Sequence, residues 1–121
     1  MEKIKMAPNI VPATRLEMYD VVNPAGDDLG QVQNFMIDLC HGRIAFAIVA
    51  FGGTLGLSDK WFAVPWELLE WRVPKKKFVL DLPREKLEKA PGINKHKWPE
   101  EINLDWLKDL YVYFDCCPYW Y

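Results

Sequence analysis

The chain of 121 residues has no run near the roughly 18 consecutive apolar residues that a helix needs to cross a bilayer, so no membrane span is expected. It also lacks a basic excess. Lys and Arg number 15 against 17 Asp and Glu, a formal net charge of −2. A nucleic-acid module draws most of its non-specific affinity from a basic stripe, and here the basic run is short, Lys75, Lys76 and Lys77 after Pro74. That run reads as a solvated hairpin tip, and no nucleic-acid partner is expected. Cysteine is scarce: Cys40, Cys116 and Cys117 are too few, and odd in number, for a disulfide framework. The adjacent Cys116 and Cys117 lack the C-x-x-C spacing that lets two sulfurs reach one tetrahedral ion, so no metal site and no cofactor are expected. The charged residues 1–6 have no apolar stretch behind them of the signal-peptide kind, and a cytoplasmic location is expected.

What is present is a globular composition unusually rich in rings. Half the residues are apolar, with six Trp, six Phe and five Tyr. Such side chains dominate both cores and interfaces. The organising stretch is residues 42–66, GRIAFAIVAFGGTLGLSDKWFAVPW. In an extended strand Ile44, Phe46, Ile48 and Ala50 point to one side and Ala45, Ala47, Val49 and Phe51 to the other, so both faces are apolar and need cover. Gly52 and Gly53 end this strand, and residues 61–64 form a second apolar run stopped by Pro65. The intervening glycine-rich loop lacks a Gly-Lys-Ser/Thr ending and leads into a strand, which argues for a hairpin loop over a phosphate cradle.

Taken in order, residues 1–12 read as an N-terminal arm, and residues 13–18 as a helical turn before a strand at 19–23. Asn23-Pro24-Ala25-Gly26-Asp27 reads as a hairpin turn. The strand from Leu29 to Leu39 changes phase: Val32 faces inward first, then Phe35, Ile37 and Leu39, which predicts a β-bulge near Asn34. Asp38 reads as a turn acceptor. After Pro65 come one helical turn, a hairpin around the lysines, and a short helix around Leu87. A polar link at 93–97 follows, and then Asn103 caps a helix carrying Leu107, Leu110, Tyr111 and Phe114 at helical spacing. The expected fold is all-β, a small β-barrel of about six strands with a short C-terminal helix. Residues 13–90 make the barrel, and residues 91–121 an extension with the helix and an aromatic tail packed on it.

Several segments together resemble one known family. They are Val22-Asn23-Pro24 with Gly26, Leu29-Gly30 with Val32, Asp38 with Gly42-Arg43, the strand Ala45 to Gly53, Leu55-Gly56, Phe62-Ala63-Val64-Pro65-Trp66, and Leu87-Glu88-Lys89-Ala90-Pro91-Gly92. This pattern resembles the PRC-barrel domains, known from the photosynthetic reaction centre H subunit and from the C-terminal domain of the ribosome maturation factor. Trp98-Pro99, Trp106 and Pro118-Tyr119-Trp120 look like the tail of stand-alone bacterial and archaeal members. The resemblance implies a PRC-type barrel and carries no catalytic residue onto this chain.

The leading functional expectation is a non-catalytic module that acts through protein-protein contact, a homodimer or adaptor with an unidentified protein partner. The candidate interface is Phe46, Phe51, Leu55, Leu57, Trp61, Tyr119, Trp120 and Tyr121. Two alternatives follow from the family alone: an adaptor in RNA maturation or ribosome assembly, and a subunit associated with electron-transfer complexes. A third is a small thiol-dependent enzyme in which His41 activates Cys40 with help from Asp38.

Overall fold

Residues with period-two apolarity form strands wherever glycine or proline punctuates them, and one sheet collects them all. The computed structural model describes residues 10–51, 60–72, 76–93 and 97–120. In chain order these contain α1 (Ala13–Leu16), β1 (Asp20–Val22), β2 (Asp28–Asp38), β3 (Arg43–Ala50), β4 (Trp61–Pro65) and a 3-10 turn (Trp66–Leu68). There follow β5 (Leu69–Arg72), β6 (Lys77–Leu80), α2 (Arg84–Glu88), β7 (Gly92–Ile93) and α3 (Leu104–Tyr113). The loop at 52–59, with Gly52, Gly53, Leu55 and Leu57, lies outside the described residues, as do residues 1–9, 73–75, 94–96 and Tyr121.

The strands form a single sheet in the order β5-β6-β1-β2-β3-β4-β7. Neighbours run antiparallel except β1 and β6, which are parallel. Two features correct the expectation of a barrel of about six strands. Among the described residues there are seven strands, and β5 and β7 are unpaired edges, so the sheet is open. The seventh strand arises in the supposed polar link, where Ile93, almost fully buried, pairs with Trp61.

Although open, the sheet must curl. In a flat sheet β4 and β5 would stand five strand spacings apart, about 24 Å at roughly 4.8 Å each. The three-residue 3-10 turn that joins them spans at most about 14 Å from Pro65 to Leu69. The core shows the curl directly, because Phe35 of β2 meets Phe78 of β6 (ring centroids 6.3 Å apart) and Trp66 of the turn (5.9 Å).

The curl gives β3 two different surroundings. Ala47 and Val49 pair with Val64 and Phe62 and, with Phe51, face the concave interior shared with Phe35. Phe46 and Ile48, of opposite parity, face outward and are nevertheless buried. The C-terminal extension covers them: Trp106 of α3 packs on Phe46 at 5.2 Å, and Trp98 packs on Trp61 at 6.1 Å. Asn103 caps α3 as expected, accepting from Trp106 N–H at 2.9 Å. Leu110, Tyr111 and Phe114 are buried, while Leu107 is half-buried.

The predicted bulge is present, since the β2–β3 register shifts between Val32 and Asn34 and leaves Gln33 as the extra residue. A second shift was not foreseen. Met36 pairs with Phe46 but Ile37 with Ile44, so Ala45 is the extra residue on β3. The strand end then turns outward. Phe35 is buried as expected, but Ile37 and Leu39, expected inside, are 52% and 89% exposed.

Candidate functional site

The corner where β2 turns into β3 gathers most of the polar side chains that sequence spacing had left scattered. Asp38 organises the turn. Its Oδ1 accepts from the backbone N–H of Cys40 (2.9 Å) and His41 (3.1 Å), its carbonyl accepts from Gly42 N–H, and Gly42 has φ of 63°. The other carboxylate oxygen, Oδ2, lies 3.0 Å from His41 Nδ1 and accepts from Tyr119 Oη at 2.6 Å. This tyrosine arrives from the C-terminal tail because α3 is capped at Phe114 and the chain reverses through Asp115, at φ of 57°. Cys116 N–H then bonds back to Tyr111 O at 2.9 Å.

The Tyr119 ring is held on both sides. The Arg43 guanidinium sits 3.8 Å from its centroid, and the His41 ring meets it edge-on at 5.5 Å. Arg43 Nη2 also donates to Glu67 Oε2 (2.8 Å), and the Tyr111 hydroxyl lies 3.0 Å from Glu67 Oε1 and 2.8 Å from Ala45 O. One phenolic proton thus serves two acceptors, one of them the carbonyl of the bulge residue on β3. The outcome is a clasp, His41–Asp38–Tyr119–Arg43–Glu67–Tyr111, that ties the hairpin, the 3-10 turn, α3 and the tail together.

Its electrostatics follow from these contacts. The hydrogen bond from Tyr119 holds the Asp38 carboxyl below its ordinary value, with further help from His41. Burial first, then Asp38, pushes the Tyr119 phenol up; burial and Glu67 do the same to Tyr111. Cys116 is raised by burial. Asp38 is therefore held as the carboxylate, and Tyr111, Tyr119 and Cys116 are held protonated.

Beside the clasp lies an apolar groove of about 280 Å³ between the end of β2 and the start of α3. Met36, Ile37, Phe46, Ile102, Leu104 and Leu107 line it, together with Tyr119 of the clasp. Ile37 and Leu104 are each 52% exposed, which gives the groove open apolar lips.

A PRC-barrel domain model matches residues 8–87. The chain belongs to the PRC-barrel family. No curated protein matches it. The matched span carries β1 to β6 and four members of the clasp, Asp38, His41, Arg43 and Glu67, whereas β7, Tyr111, Tyr119 and the α3 residues of the groove lie beyond it.

Of the residues expected at an interface, Phe46 and Phe51 are buried within the chain. Trp61 is half-buried against Trp98, and Tyr119 and Trp120 pack on Tyr111 at 5.9 and 4.9 Å. Leu55, Leu57 and Tyr121 lie outside the described residues. Of the thiol-enzyme trio, the fold brings Asp38 and His41 together, and exposed Cys40 contributes its backbone N–H. Reading the sequence missed Arg43, Glu67 and Tyr111, which are 24 and 44 residues apart along the chain and share no local pattern. It also missed Leu104, the first residue of α3.

Proposed function

We propose that this PRC-barrel protein is a non-catalytic module that works in the cytoplasm by protein-protein contact, as a homodimer and adaptor. The observation that carries the reading is the apolar groove with exposed lips beside ionisable groups that are already spent on one another. A general acid or base needs a pKa near the working pH and a free face toward substrate. Asp38 is pushed down, Tyr111 and Tyr119 are pushed up, and Arg43 and Glu67 neutralise each other. An open apolar groove beside such a paired cluster suits a protein side chain better than a reacting substrate. The net charge of −2 supports a protein over a nucleic-acid partner.

The experiment is affinity capture from the host's own lysate with the parent chain and with Ile37→Asp as baits. Ile37 is half exposed, so a carboxylate there alters the groove lip without entering the core. A protein retained by the parent and lost from the variant supports the reading. Identical retention by both baits, or RNA as the retained species at physiological salt, overturns it.

A further inference from the structure

The open edge of the sheet leaves one inward-facing ring uncovered. On β5, Leu69 and Trp71 share a parity and pair with Leu80 and Phe78, both buried on the concave side. Leu69 is buried with them, but Trp71, farther along the edge strand, is 40% exposed. Trp66, in the 3-10 turn, is half-buried, with its ring 6.1 Å from the same Phe78. No ring contact joins the two indoles themselves among the described residues, and both line a pocket of about 510 Å³ together with Leu69, Arg43 and Glu67. It shares no lining residue with the groove at Ile37.

The side-chain groups that this pocket leaves available are donors. An indole N–H can only donate, and neither that of Trp66 nor that of Trp71 has an acceptor among the described residues. Arg43 spends Nε on Ile44 O and Nη2 on Glu67 Oε2, which leaves Nη1 without an acceptor there. Glu67, the acidic member, has both oxygens engaged, by the Tyr111 hydroxyl and by Arg43. We propose that this pocket binds an extended proline-rich segment of a partner protein, in the polyproline II conformation. Such a segment has no internal hydrogen bonds, so its backbone carbonyls stand open, and proline brings no N–H of its own. A ligand that only accepts thus meets side chains that only donate, and prolyl rings lie flat on indole faces, as in other aromatic-lined receptors of this conformation. A cation would also suit two indoles, but the Arg43 guanidinium in the wall repels it. A sugar would need acceptors for its hydroxyl protons, and Glu67 is already engaged. The mouth of a curled sheet is a common place for a ligand. The pocket is a second contact surface on the module, and its occupancy does not depend on the groove at Ile37.

An NMR titration of the isotope-labelled full chain with decaproline, and with a glycine-serine decamer as control, tests this through the indole N–H signals. Those of Trp66 and Trp71 are expected to shift and saturate with decaproline and to stay in place with the control. Trp71→Ala, at an exposed edge position, is expected to keep the amide dispersion of the parent and to weaken binding about tenfold or more. Trp71→Phe keeps a ring but withdraws the N–H, and is expected to weaken binding about threefold. Decaproline that shifts neither indole overturns the pocket, and so does binding that both Trp71 variants leave unchanged. Shifts produced by tetramethylammonium or maltohexaose but not by decaproline overturn it as well. None of these results bears on capture through the groove, which the Ile37→Asp bait tests by itself.

Discussion

Gly30 shows how much a single residue can carry in this fold. It lies at φ of 127°, and a Cβ built there would sit 2.1 Å from Ala50 O of the adjacent strand. Gly30→Ala is expected to cost about 3 kcal/mol or more in urea unfolding, because backbone strain and a clash with backbone add. Gly26→Ala, with φ of 92° but open space around it, should cost only about 1 kcal/mol. Asp38 supplies a pH dependence. Its pKa is depressed in the folded chain, so its contribution is complete above the ordinary value of 3.8 and is lost as pH falls through the lowered value. Tyr119→Phe removes the largest cause of that depression. In an NMR titration the Asp38 carboxyl of the variant is expected to move back toward 3.8. The three thiols should separate by exposure. Cys40 and Cys117 are exposed and should react with a disulfide reagent quickly, and Cys116, half-buried with its thiol pushed up, slowly. Three equally fast thiols, or one equivalent of zinc on metal analysis, would contradict this picture of the cysteines.

Between elements, the decisive joint is the bulge on β3 under α3. Ala45 is the residue that β3 gains over β2 at the second register shift, and its carbonyl takes the Tyr111 hydroxyl at 2.8 Å. A bulge re-aims backbone groups away from the ladder, and here it aims one at the helix. Tyr111→Phe keeps the ring that packs on Trp120 and Tyr119 but withdraws the proton from the bulge carbonyl and from Glu67. A loss of about 1–3 kcal/mol is expected in urea unfolding, with little change in far-UV dichroism. An unchanged midpoint would mean that solvent or another donor serves Ala45. The α3 helix itself was legible in the sequence down to its cap, since Asn103 and the spacing of Leu107, Leu110, Tyr111 and Phe114 are local signals. The second bulge was not, because nothing in the alternation of Phe35, Ile37 and Leu39 marks where the partner strand slips.

For the whole molecule, the C-terminal extension covers the outward parity of β3, with Trp106 on Phe46. Two rings of the aromatic tail are held by the clasp: Tyr119 by Asp38 and Arg43, and Trp120 by Tyr111. A chain ending at Asp115 is therefore expected to lose about 2 kcal/mol of stability from two half-buried rings while keeping the parent's mass in light scattering. A tail that formed the dimer face would give the opposite result, unchanged stability and halved mass. The sequence alone determined what local signals encode: the apolar strands, the hairpin turn at Asn23 with Gly26, the first bulge, the capped helix and the PRC family. Tertiary structure alone decided what depends on distant parts of the chain meeting. The three-residue link from β4 to β5 curls the sheet, the curl divides β3 into an inward and an outward parity, and α3 then buries the outward one. The clasp of Asp38, Arg43, Glu67, Tyr111 and Tyr119 exists because that curl and the chain reversal at Asp115 bring together residues up to 81 positions apart, a proximity that no periodicity along the chain encodes.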